Sequence, residues 1–219
     1  MTNLPENMRR IAFDIETYST QPNAVVLSIG LVWFDLMQRQ TARQLKKQSL
    51  NLPLKYQEQN DRHLQSNTIE WWDNQHPAAV SAWQDACYPY TTREAKNRID
   101  GWIEANKLRD ANWFCRGPHF DATILMDLFG ERGPIKFWKV RDTRTLLDAF
   151  LPDWRAVEEE IFNTEPLTKH IAQHDAIAEA MMQQRSKEKL LTMEAPALAH
   201  QALVHGGDAT KQLIEVMAW

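Results

Sequence analysis

The chain has 219 residues, 43% of them apolar, 10% aromatic and 25% charged, a balance that supports one packed core and excludes a disordered polypeptide. Its formal net charge of −4 excludes a whole-protein field that gathers polyanions, so a nucleic-acid site has to be locally basic or charged by bound metal. Two cysteines, Cys87 and Cys115, exclude a disulfide framework or a zinc finger and point to a reducing compartment.

The first predicted strand is "RRIAFDI" (9–15), rich in β-branched and aromatic residues. The apolar run at this end is broken by Asp14, so it does not read as a signal peptide, and no stretch is long enough to span a membrane. A cytoplasmic protein with no membrane partner is expected. "NAVVLSIGLVWFD" (23–35) reads as the second strand, after a turn around Pro22 and Asn23. A third strand is expected within residues 42–54, where Leu45 and Leu50 alternate imperfectly with polar residues.

Helical patterns follow. Asn67 is the expected N-cap of "NTIEWWDNQ", with Glu70 three residues on, and Thr91 with Glu94 repeats the arrangement ahead of a helix carrying Ile99, Trp102 and Ile103 on one face. "ANWFCRG" (111–117) is a short strand, "HFDATILMDLFG" a helix closed by Gly130, and "IKFWKVRDTRT" a strand feeding the helix "RTLLDAFL". The longest helical candidate lies beyond Pro166, in "LTKHIAQHDAIAEAMMQQRSKEKLL". Residues 193–219 form an extension with no readable role. With no repeat or linker, one domain spans 1–219, its motif-bearing core at about 9–192. Early hairpins followed by alternating strands and helices predict an α/β three-layer fold, a mixed sheet covered by helices on both faces.

Asp14 and Glu16 are two apart on a strand and so point to the same face. Two buried like charges are costly unless a cation repays them. Asp121, at a strand-to-helix junction, and Asp175, early in the long helix, are further acids in apolar surroundings. Four carboxylates suit hard divalent ions such as Mg²⁺ or Mn²⁺. Two such ions about 3.5–4 Å apart stabilise both attacking and leaving oxygens of a phosphodiester displacement. A neutral histidine then serves as proton acceptor; helical angles alone leave both His170 and His174 in play. Trp71 and Trp72 are adjacent, so at most one faces a core fully, and a tryptophan or Glu70 is available to a terminal nucleotide. Lys136, Lys139, Arg141 and Arg144 around Trp138 form a basic, aromatic stretch suited to phosphates, and Arg116 and Arg141 are candidate substrate contacts.

"FDIET", "HFDATIL" and "HIAQHDA" resemble, in order, the three exonuclease motifs of the DEDD 3′–5′ exonucleases, in the His-containing subclass, whose fold is ribonuclease H-like. "TIEWWDNQ", "WFCRGPHFDATIL" and "KFWKVRDTRT" are similar to phage DexA-type exonucleases and the mycobacterial-type exoribonuclease-like group. The resemblance runs from about residue 11 to 185. It implies metal ligands Asp14, Glu16, Asp121 and Asp175 for two divalent ions, Mg²⁺ or Mn²⁺, and His170, five before Asp175, as general base. It implies substrate contacts from Thr17, Glu70, Trp71, Arg116, Phe120 and Arg141. The implied reaction is release of nucleoside 5′-monophosphates from DNA or RNA with a free 3′ end; the alternative is a binding protein that kept the fold without catalysis. A homodimer is compatible with this reading. Many members carry Asn where this chain has Gly117, within a Cys-Arg-Gly that the phage-type group shares.

Overall fold

The structure, a computed structural model, describes residues 9–205; residues 206–219 of the expected extension lie outside the described residues. Strands β1 (Arg9–Thr17), β2 (Val26–Asp35), β3 (Ser49–Pro53), β4 (Asn112–Cys115) and β5 (Val140–Asp142) form a mixed sheet in the order β3-β2-β1-β4-β5. The first three pair antiparallel, and β4 and β5 run parallel to β1.

Alternation along β1 divides the core. Ile11, Phe13 and Ile15 point to one side, where Leu31 and Ile29 stand opposite the latter two on β2. That side packs with Ala95 and Ile99 of α4 (Thr92–Ala105) and Ile124 and Leu125 of α5 (Asp121–Phe129). Each large apolar side chain fully buried there contributes on the order of 1.5–3 kcal/mol. Ala12, with Val32 opposite, faces the other way, onto Ala176, Ile177 and Ala180 of the long helix α8 (Ala172–His205). Leu45 of α1 (Ala42–Lys46), Leu147 of α6 (Thr143–Phe150) and Ile161 of α7 (Trp154–Thr164) complete that layer. A smaller cluster joins Trp72 of α2 (Ser66–Asp73) and Trp83 of α3 (Pro77–Gln84) to Val25 and Leu27. The three-layer α/β expectation therefore holds, with helices on both faces.

Several local expectations are corrected. Residues 42–54 are a helix followed by a strand: Thr41 caps α1 in a capping box with Gln44, and Ala42 and Leu45 are buried at helical spacing. The apparent alternation of Leu45 with Leu50 crosses that boundary. Helix α2 starts at Ser66, before Asn67, because the Gln65 N–H is already bonded to the Tyr18 carbonyl at 2.9 Å. Asn67 lies inside the helix and Gln65 takes the cap position without a side-chain cap bond. The Thr91–Glu94 capping box and the Gly130 closure form as expected, Gly130 at φ 64°. β5 is shorter than "IKFWKVRDTRT" predicts, since Phe137–Lys139 is a 3₁₀ turn. Helix α8 begins at Ala172 rather than just beyond Pro166, after a loop in which His170 adopts φ 62°.

Candidate active site

Asp14 and Glu16 leave β1 on the α8 face, opposite Gly30 and Ser28 of β2. A β-bulge between Glu16 and Thr17 ends regular pairing beside them. Gly30 is the position that lets α8 approach: a Cβ there would lie 2.0 Å from the Ala172 carbonyl carbon and 2.2 Å from the Gln173 nitrogen. Only a residue without a side chain allows this contact, and it brings the first turn of α8, with Asp175, over the acidic end of β1. Asp121 is the first residue of α5, where the helix dipole favours a carboxylate; it accepts backbone hydrogen bonds from its own N–H and from Ile15.

Glu16, His170 and Asp175 each present a ligand atom within 4.8 Å of the other two. Asp175 accepts a backbone hydrogen bond from His170, yet its Oδ2 is buried without any partner. A buried carboxylate oxygen with no partner among the described residues is expensive to leave unsatisfied. With Glu16 and His170 within that reach and Asp14 and Asp121 close enough to interact with the pair by charge, the set fits a hard divalent cation.

The electrostatics agree. Burial, then the charges of Asp175, Glu16 and Asp121, hold the Asp14 carboxyl well above the usual range, and Arg116 opposes them. Glu16 is raised by burial and by Asp175 and Asp121. Burial lifts Asp121 to about 8, with Glu179 adding to it, and burial lifts Asp175 to about 7 against Arg116. A bound divalent cation inverts this logic and keeps such groups ionised. His170 is pushed the other way: burial, then Lys169 and Arg116, lower its pKa and favour the neutral imidazole. His174 is engaged elsewhere, its Nδ1 accepting the Thr168 N–H at 3.0 Å.

The residues expected to meet substrate are distributed around this centre. Trp71 is 41% exposed and its ring meets the His170 ring edge-on at 4.9 Å, whereas Trp72 is buried and donates through Nε1 to the Thr17 carbonyl at 2.9 Å. Glu70 is exposed beside Trp71. Buried Thr17 donates its hydroxyl to the Ser19 carbonyl, and half-buried Phe120 occupies the cap position of α5. Arg141 stands apart on β5, two strands from β1, donating to the Trp138 and Val140 carbonyls. Arg116 turns inward, paired with Glu158 and lying 3.5 Å from Glu179.

Three contributors were not anticipated from the sequence. Gly30 could have been found as an isolated glycine inside an apolar strand, a mark of close backbone approach. Glu179 follows Asp175 by four residues, the spacing of one helix face, and is 1% exposed. Glu158 sits on α7, an element that no sequence motif announced.

Residues 9–190 match the 3′–5′ exoribonuclease Rv2179c-like domain family. The exodeoxyribonuclease of Enterobacteria phage T4 is 27% identical over 160 residues, covering 63% of this chain and 70% of the phage protein. Among solved structures, the nuclease domain of 3′hExo, a DEDDh family member bound to rAMP, superposes with a TM-score of 0.58 at 11% identity, covering 84% of this chain and 94% of that one. Cell-death related nuclease 4 gives 0.54 at 13% identity over 83% of this chain, which spans 64% of the nuclease. At these identities the two structures establish the fold.

Proposed function

The chain belongs to the Rv2179c-like 3′–5′ exoribonuclease domain family, and on that premise we propose that it removes nucleoside 5′-monophosphates one at a time from the 3′ end of DNA or RNA. The observation that carries the mechanism is the convergence of Glu16, His170 and Asp175, around an Asp175 Oδ2 buried without a partner among the described residues, with Asp14 and Asp121 close enough to interact with them by charge. The four carboxylates would hold two divalent ions, Mg²⁺ or Mn²⁺. Bound there, the ions would supply positive charge to the attacking and leaving oxygens of the phosphodiester.

The chain's own residues do the rest. His170, kept neutral by its surroundings, accepts the proton of the attacking water. Trp71, exposed beside His170, offers a face on which the 3′-terminal base stacks, since any base has a π-face to present. Thr17, Glu70 and Phe120 flank that nucleotide, and Arg141 meets a phosphate further along the strand. Arg116 has a different assignment, developed below.

Matched DNA and RNA oligonucleotides, labelled at the 5′ end and incubated with Mn²⁺, test the reading. The expected product is a ladder shortening from the 3′ end, abolished by excess chelator and slowed about 10²–10⁴-fold by His170→Ala. Tight binding with no mononucleotide release would overturn it in favour of a non-catalytic nucleic-acid-binding protein, and full activity of His170→Ala would remove the general base.

A further inference from the structure

Beside the carboxylates lies a network of paired polar side chains. Arg116, at the end of β4, is paired through Nη1 with Glu158 of α7 and places Nε 3.5 Å from Glu179 Oε2 on α8. The Thr143 hydroxyl donates to Glu179 Oε1 at 2.5 Å and accepts from Gln183 Nε2 at 3.1 Å. Gln183 Oε1 in turn accepts from Arg10 at 3.4 Å. Glu179, Thr143 and Gln183 are all buried, so the guanidinium is held from two sides by fixed acceptors. Glu179 follows Asp175 by one helical turn on the same face of α8, so the guanidinium held 3.5 Å from Glu179 lies beside the carboxylate cluster. Lys169, the other cation bridged to Glu158, is half exposed and 3.9 Å away.

We propose that Arg116 is a resident counter-cation: clamped by Glu158 and Glu179, it stands in for part of the charge of the divalent ions and keeps the carboxylate cluster assembled when they are absent. This rests on the two-ion reading above. Six acids meet in this region, Asp14, Glu16, Asp121, Glu158, Asp175 and Glu179. Without a cation among them, the metal-free state would carry repulsion that burial magnifies. The device has a cost with a definite sign. A fixed positive charge beside the ligands repels the incoming ions, so Arg116 weakens metal binding while it protects the empty site. Glu179 acts through Arg116 as a positioning residue: its negative charge moderates that repulsion and its bond to Thr143 fixes where the guanidinium sits.

Mn²⁺ binding measured by calorimetry, with melting temperatures taken in Mn²⁺ and in chelator, tests this without reference to nuclease activity. Arg116→Gln is expected to bind Mn²⁺ about tenfold more tightly, the size of one unit of pKa interaction, and to lose more melting temperature in chelator than in Mn²⁺. Arg116→Lys, which keeps the charge, should return the dissociation constant to within about twofold of the parent. Glu179→Gln should move it the opposite way, to weaker binding, and carries the test if Arg116→Gln does not fold. An unchanged or weaker Mn²⁺ affinity in Arg116→Gln, an equal loss of melting temperature with and without metal, or an unchanged affinity in Glu179→Gln would overturn the proposal. If the parent protein itself binds no Mn²⁺, the two-ion reading falls and this inference with it; if the parent binds and the variants do not shift, only this inference falls.

Discussion

Strand β1 serves two faces that are both covered by helices and yet do opposite work. On the α4 and α5 side, Ile11, Phe13 and Ile15 are sealed among apolar neighbours, and the edge-to-face contact of Phe13 with Trp113, centroids 5.7 Å apart, is typical of aromatic core packing. On the α8 side the same strand carries Arg10, Ala12, Asp14 and Glu16, apolar only at Ala12. The first face lowers the free energy of the fold by excluding water. The second spends part of that gain on holding like charges together. A strand can do both because its side chains alternate, so stability and chemistry are separated by one residue rather than by one domain.

The largest effect on the charged face is expected from Asp14→Asn. It should lower the cleavage rate at least about a thousandfold, as loss of an electrostatic group proposed to hold metal would, while raising the melting temperature of the metal-free protein, because an amide cannot take the negative charge that burial, Asp175, Glu16 and Asp121 disfavour at this position. A melting scan in chelator beside a single-turnover assay reads both signs; a destabilised metal-free variant would mean that the two faces are not functionally distinct. Phe13→Ala, on the opposite face, should cost roughly 3–5 kcal/mol in denaturant unfolding and leave kcat per folded molecule close to that of the parent.

Gly30→Ala tests the boundary between the faces. The new Cβ meets Ala172 backbone, which cannot swing aside as a flexible side chain could, so α8 must shift. The expected cost is about 1–3 kcal/mol, accompanied by a fall in activity larger than that loss of stability explains, because Asp175 and His170 travel with the helix start. Normal kinetics in a folded Gly30→Ala protein would show that the close approach is not what places them.

Acid–base behaviour sharpens the contrast further. Asp121 and Asp175 bind protons in the metal-free fold up to about 8 and about 7, far above the range of an unfolded aspartate. As pH rises from the unfolded value toward these folded values, the unfolded chain releases its protons first, so the metal-free fold loses stability across that interval. Melting temperature in chelator should therefore fall between about pH 5 and pH 8, and the stabilisation given by saturating Mn²⁺ should be larger at the upper end. The apolar face contributes nothing to this slope, so Phe13→Ala should shift the curve downward without changing its shape. The smallest effect is expected at Thr91→Ala, which removes the N-cap of α4, costs about 1 kcal/mol and leaves activity per folded molecule unchanged.

The proposed catalytic set could be read from the sequence because its members sit at local landmarks: Asp14 and Glu16 on alternate positions of an apolar strand, Asp121 at a strand-to-helix turn, and His170 with Asp175 at a helix entrance. Their motifs follow one another along the chain in an order that one sequence displays. The helix at 42–46 is not legible because Leu45 and Leu50 satisfy strand alternation as loosely as they satisfy helix spacing. The role of Arg116 was hidden for a different reason. Its partners Glu158 and Glu179 lie 42 and 63 residues away in the chain, and although the four-residue step from Asp175 puts Glu179 on that helix face, nothing in the sequence pairs either glutamate with Arg116.

By itself, then, the sequence determined the α/β class, the strand that carries the first two carboxylates, and the residue types able to hold divalent ions and take a proton. Tertiary structure decided which face of β1 meets α8, that Gly30 admits the helix backbone, that His174 is used in a loop contact while His170 meets Trp71, and that Arg116 turns inward between two glutamates. The division follows from range: periodicity and capping act over a few residues and are written in order along the chain, whereas charge pairing and close packing depend on distances that exist only after the sheet and its helices have come together.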